Sequence, residues 1–201
     1  MTSWTSRLGL LGLSRDEMPY LVSTPVTRDY AATHPHAFML VPSIEDQAEF
    51  LASQVELEPA PRRVAIVNVR EEFAESLARA IKTALAAQGI KPVFEMTYAQ
   101  SADQMNMLAK AEEIALSKPS IMYFIGRSPS LMILHPTIRH KLPDIRIIAN
   151  DLVESFHVYM NPEGVYTGVR FLRYMDPTSK DSTTRAVRER LVMWVGRDEL
   201  T

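Results

Sequence analysis

The chain has no cysteine. Disulfides, thiolate zinc sites and cysteine nucleophiles are therefore excluded, and the redox compartment is left open. Glycine is scarce, 7 in 201 residues, and neither GxGxxG nor GxxxxGK[ST] occurs. Dinucleotide and P-loop sites need those glycines for close backbone approach to phosphate, so both classes fall away. No apolar run reaches the roughly 20 residues that span a bilayer, and no membrane insertion is expected. An excess of one charge is missing too: 22 basic residues stand against 24 acidic ones, a net charge of −2. Without a basic stripe, nucleic acid is not an expected partner. The opening MTSWTSRLGLLGLSRDEMPY carries a leucine-rich patch but no small-residue cleavage site. It reads poorly as a secretion signal, and as written the chain is expected in the cytoplasm.

What is present is an ordinary globular composition, 46% hydrophobic and 23% charged, with length for a sizeable core. Residues 5–14 suit a short helix, and 18–22 a short strand ending in the polar loop Ser23–Thr27. Ser43 reads as a helix N-cap, with Glu45 and Asp46 in a first turn where the helix dipole favours them. That helix should run to about Val55. The stretch EPAP, 58–61, then breaks the pattern and divides the chain into residues 1–57 and 58–201.

Beyond it the pattern is regular. Strands are expected at 63–69, 93–98, 120–125, 145–149 and 164–171. Helices are expected at 71–88, 101–117, 129–141 and 151–159, with Pro136 forcing a kink or an early end. Phe73, Leu77, Ala80, Ile81, Ala84 and Leu85 repeat with the 3.6-residue period of an amphipathic helix. Met105 and Met107 read as core filler, and Arg185, Arg188 and Arg190 as the solvated face of a last helix. Strands apolar on both faces and alternating with helices imply an α/β, doubly wound, mostly parallel sheet, preceded by a fragment of a second such unit.

Ligands of such sheets bind beyond the carboxyl ends of the strands. Four segments lie there: Ser23–Thr27, Asn68–Phe73, Gly126–Ser128 and Asn150–Asp151. Their hydroxyls, ring, guanidinium and carboxylate suit a small polar or zwitterionic ligand. The same residues also serve as ordinary caps and turns: Asp151 can cap the helix it precedes, and Asn68 can satisfy a turn. His34 and His36 lack a third ligand for a metal, and Ser128 and Ser130 lack a motif that supplies a base. No enzyme, cofactor or metal is expected.

Three stretches carry a family resemblance: MPYLVSTPVT (18–27) with FMLVP (38–42), VAIVNVREEFAESL (64–77), and SIMYFIG (120–126) followed by IIAND (147–151) and EGVY (163–166). In this order they resemble type 1 periplasmic binding proteins, the branched-chain amino-acid receptors of ABC transporters. The resemblance covers residues 20–173. It implies that Thr27 offers a hydroxyl to the ligand's carboxylate and that Phe73 packs on the ligand where the family has Tyr. It implies that Arg127 lines the cleft, where a cation favours an acidic ligand, and that Asp151 holds an ammonium. An extracytoplasmic location is implied as well. The first half of the first lobe and much of the region after the fifth strand have no counterpart, so the chain reads as a piece of a larger receptor or as a shortened descendant. Two functions are open: a module binding an amino-acid-like or acidic metabolite, or a protein-interaction module that keeps the fold without the ligand. The second implies an apolar exposed surface on residues 5–57 and a dimer.

Overall fold

In the computed structural model the described residues are 19–57, 61–101, 104–153, 168–172, 180–182 and 185. Expectations for residues 5–14, 154–159, 164–167 and most of the last helix lie outside them.

The run VAIVNV, Val64–Val69, is buried at every position, which suits only a strand covered on both faces. It forms β3 in a five-stranded sheet of order β4-β3-β5-β6-β7, with β4 Phe94–Tyr98, β5 Ile121–Ile125, β6 Arg146–Ala149 and β7 Val169–Phe171. All pairings are parallel, and Val67 lies between Met96 and Phe124. The α/β fold with mostly parallel strands is thus the one the sequence pattern implies.

Three helices connect these strands: α3 Glu72–Ala87, α4 Gln104–Leu116 and α5 Ser128–Lys141. Helix α3 buries Ala74, Leu77, Ile81 and Leu85. It leads outward from β3 to β4, and α4 returns past β3 to β5. Right-handed crossovers place α3 on one face and α4 with α5 on the other. Accordingly α4 packs on α5, while α3 packs on α2, Ile44–Ser53. Of Met105 and Met107 only the second is buried. Pro136 does not end α5, which runs on to Lys141. Both Pro136 and Met132, whose carbonyl loses its helical donor, are exposed, so water can take that bond.

The leading part adds two elements that the pattern does not announce, α1 Arg28–Thr33 and β2 Ala37–Met39. Strand β2 pairs in parallel with β1, Tyr20–Val22. Their small core is Tyr20, Val22 and Val26, backed by Tyr30, Ala37 and Met39. Helix α2 does not share it. Ile44, Ala48, Leu51 and Ala52 join the core of the larger sheet, and the Tyr123 hydroxyl of β5 donates to the Leu51 carbonyl at 2.7 Å. The change of core therefore falls near Pro42–Ser43, upstream of the break expected at 57/58. A two-stranded sheet offers too little surface to cover a helix's apolar side, and the five-stranded one does.

Ser43 caps α2 in a reciprocal box: its hydroxyl accepts the Asp46 N–H at 3.1 Å, and its own N–H reaches the Asp46 carboxylate at 3.3 Å. Arg28 binds the same turn, its amide to Glu45 at 2.7 Å and its guanidinium to Asp46 at 2.6 Å and Glu49 at 3.0 Å. Hydrogen bonding from Ser43, then from Arg28, holds the Asp46 carboxyl below its ordinary 3.8. Replacing Ser43 with Ala is expected to lower the unfolding free energy by about 1 kcal/mol in urea titrations. A carboxyl depressed on folding stabilises above its unfolded pKa and loses that contribution as pH falls through the folded value. Asp46→Asn should therefore flatten the stability profile below about pH 4 and leave the shape above it unchanged.

Candidate functional site

Strand order reverses between β3 and β5, and the loops that leave their carboxyl ends flank a crevice. The two loops are clasped. Arg127, at the N-cap of α5, directs Nε and Nη2 to Glu71 Oε1 at 3.3 Å, with Nη2 3.4 Å from Oε2. Charge-assisted bonds of this type are commonly about 2.7–2.9 Å, so the clasp is loose. It also meets water, with the Arg127 and Glu71 side chains 48% and 26% exposed. The guanidinium that the sequence offers to a ligand is therefore shared with a carboxylate of the neighbouring loop. The Arg70 amide, bound to the Tyr98 carbonyl at 2.7 Å, fixes the same loop to the end of β4.

Gly126 closes β5, and its surroundings explain why a glycine stands there. Its N–H donates to Asn150 Oδ1 at 3.1 Å, which joins the tips of β5 and β6. A Cβ added to it would lie 2.2 Å from the Tyr98 hydroxyl oxygen. Tyr98 belongs to β4, so its ring reaches past the end of β3 to arrive there. The ring lies beside Phe124, centroids 6.2 Å apart. Tyr98 is 5% exposed. Burial pushes this phenol up to about 12, although the Ser130 hydroxyl and the Arg127 backbone N–H lie near enough to favour its ionised form.

The four residues expected to bind ligand divide into pairs. Thr27 and Phe73 come from different units and line one cavity of about 30 Å³ with Pro25, Ile44, Glu72 and Ser76. Thr27 stands at the N-cap of α1 without a side-chain capping bond. Arg127 lies at the switch point and reaches the 68–73 joint through Glu71. Asp151 opens a 3₁₀ turn, Asp151–Val153, directly after Asn150. Asn68 is engaged within the protein. Its side-chain N–H donates to the Val69 carbonyl at 3.0 Å, and its side-chain oxygen accepts from the Thr97 hydroxyl at 3.1 Å. That is the turn-satisfying role. Sequence reasoning selected the segments that hold Glu71, Gly126 and Asn150 without giving those residues a role, and it did not select Tyr98. Only Gly126, directly after an apolar strand, carried a local signal.

A wider groove of about 630 Å³ runs between α2 and α3 and reaches Thr27, floored by Ala48, Ala80, Ala84 and Ala87. Among the described residues no three His, Asp or Glu side chains gather as a metal site.

The Gly126–Tyr98 contact gives a test. Gly126→Ala should destabilise by about 1–3 kcal/mol, the usual range for overpacking. In a Tyr98→Phe background, where the nearest obstructing atom is gone, the cost should be smaller. A double-mutant cycle read by thermal or urea unfolding measures that coupling.

No family model and no curated protein matches the sequence. Solved structures do match in fold. An amino acid ABC transporter substrate-binding protein from Pseudomonas fluorescens Pf-5 superposes with TM-score 0.76 at 13% identity, over 98% of this chain and 53% of that one. A leucine-binding protein from Thermotoga maritima MSB8 gives 0.70 at 13% identity, over 89% and 51%. The LpoA C-domain from Haemophilus influenzae, a regulator of PBP1A, gives 0.57 at 16% identity, over 82% and 49%. The chain spans about half the length of the solved structures it matches. Its architecture is that of the type 1 periplasmic binding proteins.

Proposed function

We propose that this chain is a non-catalytic module that binds a small amino-acid-like or acidic metabolite beyond the carboxyl ends of β3, β5 and β6. The observation that carries this reading is the meeting of Thr27 with Phe73 in one cavity, although they come from different units. The cavity is about 30 Å³, room for one water, so a ligand needs the two units to part there. The loops at the switch point add a guanidinium and a carboxylate, Arg127 and Asp151. Thr27 offers a hydroxyl to the ligand's carboxylate, Phe73 an apolar ring, and Asp151 a partner for an ammonium. The likeness to substrate-binding proteins of amino-acid transporters supports the ligand class.

An open site leaves its ion pairs in water, where each contributes roughly 0–1 kcal/mol. Tight binding therefore needs a further polypeptide to close over the ligand, which fits a piece of a larger, extracytoplasmic receptor. Alone, the chain should bind weakly.

A second reading, a protein-interaction module, rests on the other face of the small sheet. Leu21 and Phe38 are register partners there, 67% and 56% exposed, with Leu40 exposed beside them. Parallel strands are ordinarily covered on both faces, so a second copy or another protein has a surface to bury.

Titration calorimetry against a panel of amino acids separates the two readings. The ligand-binding reading expects heats for at least one ammonium-bearing compound and a roughly ten-fold or greater loss in Asp151→Ala. Unchanged affinity in that variant removes Asp151 from the site. The interaction reading expects a light-scattering mass above one chain that falls in Phe38→Glu. A mass of one chain at every concentration counts against it.

A further inference from the structure

The boundary between the small sheet and the rest of the molecule is loosely filled. Tyr20, Val22 and Val26 form one buried cluster, and Ile44 with the larger sheet forms another, so among the described residues no apolar core spans it. Thr27, at the boundary, lines three spaces. They are the 30 Å³ cavity with Phe73, the 630 Å³ groove along α3, and a cleft of about 420 Å³ bordered by Arg28, residues 39–43 and Asp46. Empty space there forfeits the dispersion contacts that would otherwise hold the two surfaces together.

Polar bonds cross instead. The Ile44 N–H, at the first position of α2, donates to the Val26 carbonyl at 2.9 Å. An amide at that position has no partner within its own helix, so its protection reports on this boundary. Beside it Arg28 makes three bonds to α2: its amide donates to Glu45 at 2.7 Å, and Nη2 to Asp46 at 2.6 Å and Glu49 at 3.0 Å. The Arg28 side chain is 53% exposed, and those of Asp46 and Glu49 are 50% and 62% exposed. Charges so placed are screened by salt, since the Debye length shrinks from about 30 Å at 0.01 M to about 3 Å at 1 M. Asp46 divides its work: Oδ2 accepts from Ser43 and Oδ1 from Arg28, so the helix cap survives when Arg28 lets go.

We propose that Arg28 with Glu45, Asp46 and Glu49 forms an ionic latch that holds the small sheet against α2, and that its release parts Thr27 from Phe73 and admits the ligand. This rests on the ligand-binding reading above and adds the regulation of that site. Low ionic strength keeps the latch shut, with only the 30 Å³ cavity between the units. High ionic strength loosens it, the small sheet turns about residues 40–43, and the Ile44–Val26 bond breaks as it does so.

Hydrogen exchange of the full chain without ligand, read amide by amide by NMR, tests the latch. Raising NaCl from about 0.02 to about 0.5 M should speed exchange of the Ile44 amide about 5-fold, the scale of an exposed ionic contact. The Tyr20 and Leu40 amides, which donate to His36 and Val22 within the small sheet, should keep their rates. Arg28→Gln should give the fast Ile44 rate already at low salt and abolish its salt dependence. An Ile44 rate indifferent to salt or to Arg28→Gln overturns the latch. Equal acceleration at Tyr20 and Leu40 overturns it too, because the small sheet then unfolds rather than swings away. Calorimetry at low salt reads the gating. Arg28→Gln should tighten binding about 5-fold for whichever of L-glutamate and L-leucine the parent chain binds, since a site open part of the time loses affinity by that fraction. Unchanged or weaker binding overturns the gating. If neither compound binds, the ligand-binding reading and the gating fall together, and exchange still decides the latch.

Discussion

Parallel strands with both faces covered leave only their ends to water, and this constraint shapes the molecule. The core of the larger sheet is closed by α2 and α3 on one side and α4 and α5 on the other. Polar groups are therefore pressed to the strand tips, where backbone amides lose their ladder partners. At the tips of β3, β5 and β6 the protein meets the demand with a sparse set of bonds. Glu71 clasps Arg127, Asn150 takes the Gly126 amide, and Asn68 serves its own turn and Thr97.

The two units are joined by different means. Packing merges α2 with the larger sheet, and the Tyr123–Leu51 hydrogen bond ties it to β5. The small sheet is held through the α1–α2 contact, where Arg28 meets three acidic residues of the α2 N-terminus at the surface. Exposed ion pairs are weak and are screened by salt. The boundary with the smaller contact is thus the one that the Thr27–Phe73 cavity spans.

Much of this was legible in the residues. VAIVNV and SIMYFI carry no alternation, and such runs belong to strands buried on both faces; the structure places them at β3 and β5. The Ser43 cap could be read because a hydroxyl before an acidic turn has one efficient use, binding the amides of that turn. Elements α1 and β2 could not be read. They are six and three residues long, too short for any periodicity to build up. The fate of Pro136 depended on whether the carbonyl it orphans would face water, a matter of tertiary placement. Tyr98 was hidden for a related reason. Its strand could be recognised, but the reach of its ring past β3 to Gly126 comes from strand order and twist. Arg127 was visible as a cation at a strand tip and Glu71 as part of the 68–73 joint, whereas their pairing across 56 residues was not.

One claim is central: the tips of β3, β5 and β6 form a single recognition surface that faces Thr27. Amide-resolved NMR titration of the isotope-labelled chain with an acidic amino acid tests it most directly. Saturable shifts confined to Thr27, Glu71–Phe73, Gly126–Ser130 and Asn150–Asp151 are the expected result. Shifts absent from those amides, or clustered instead at Leu21 and Phe38 and growing with protein concentration, would contradict it.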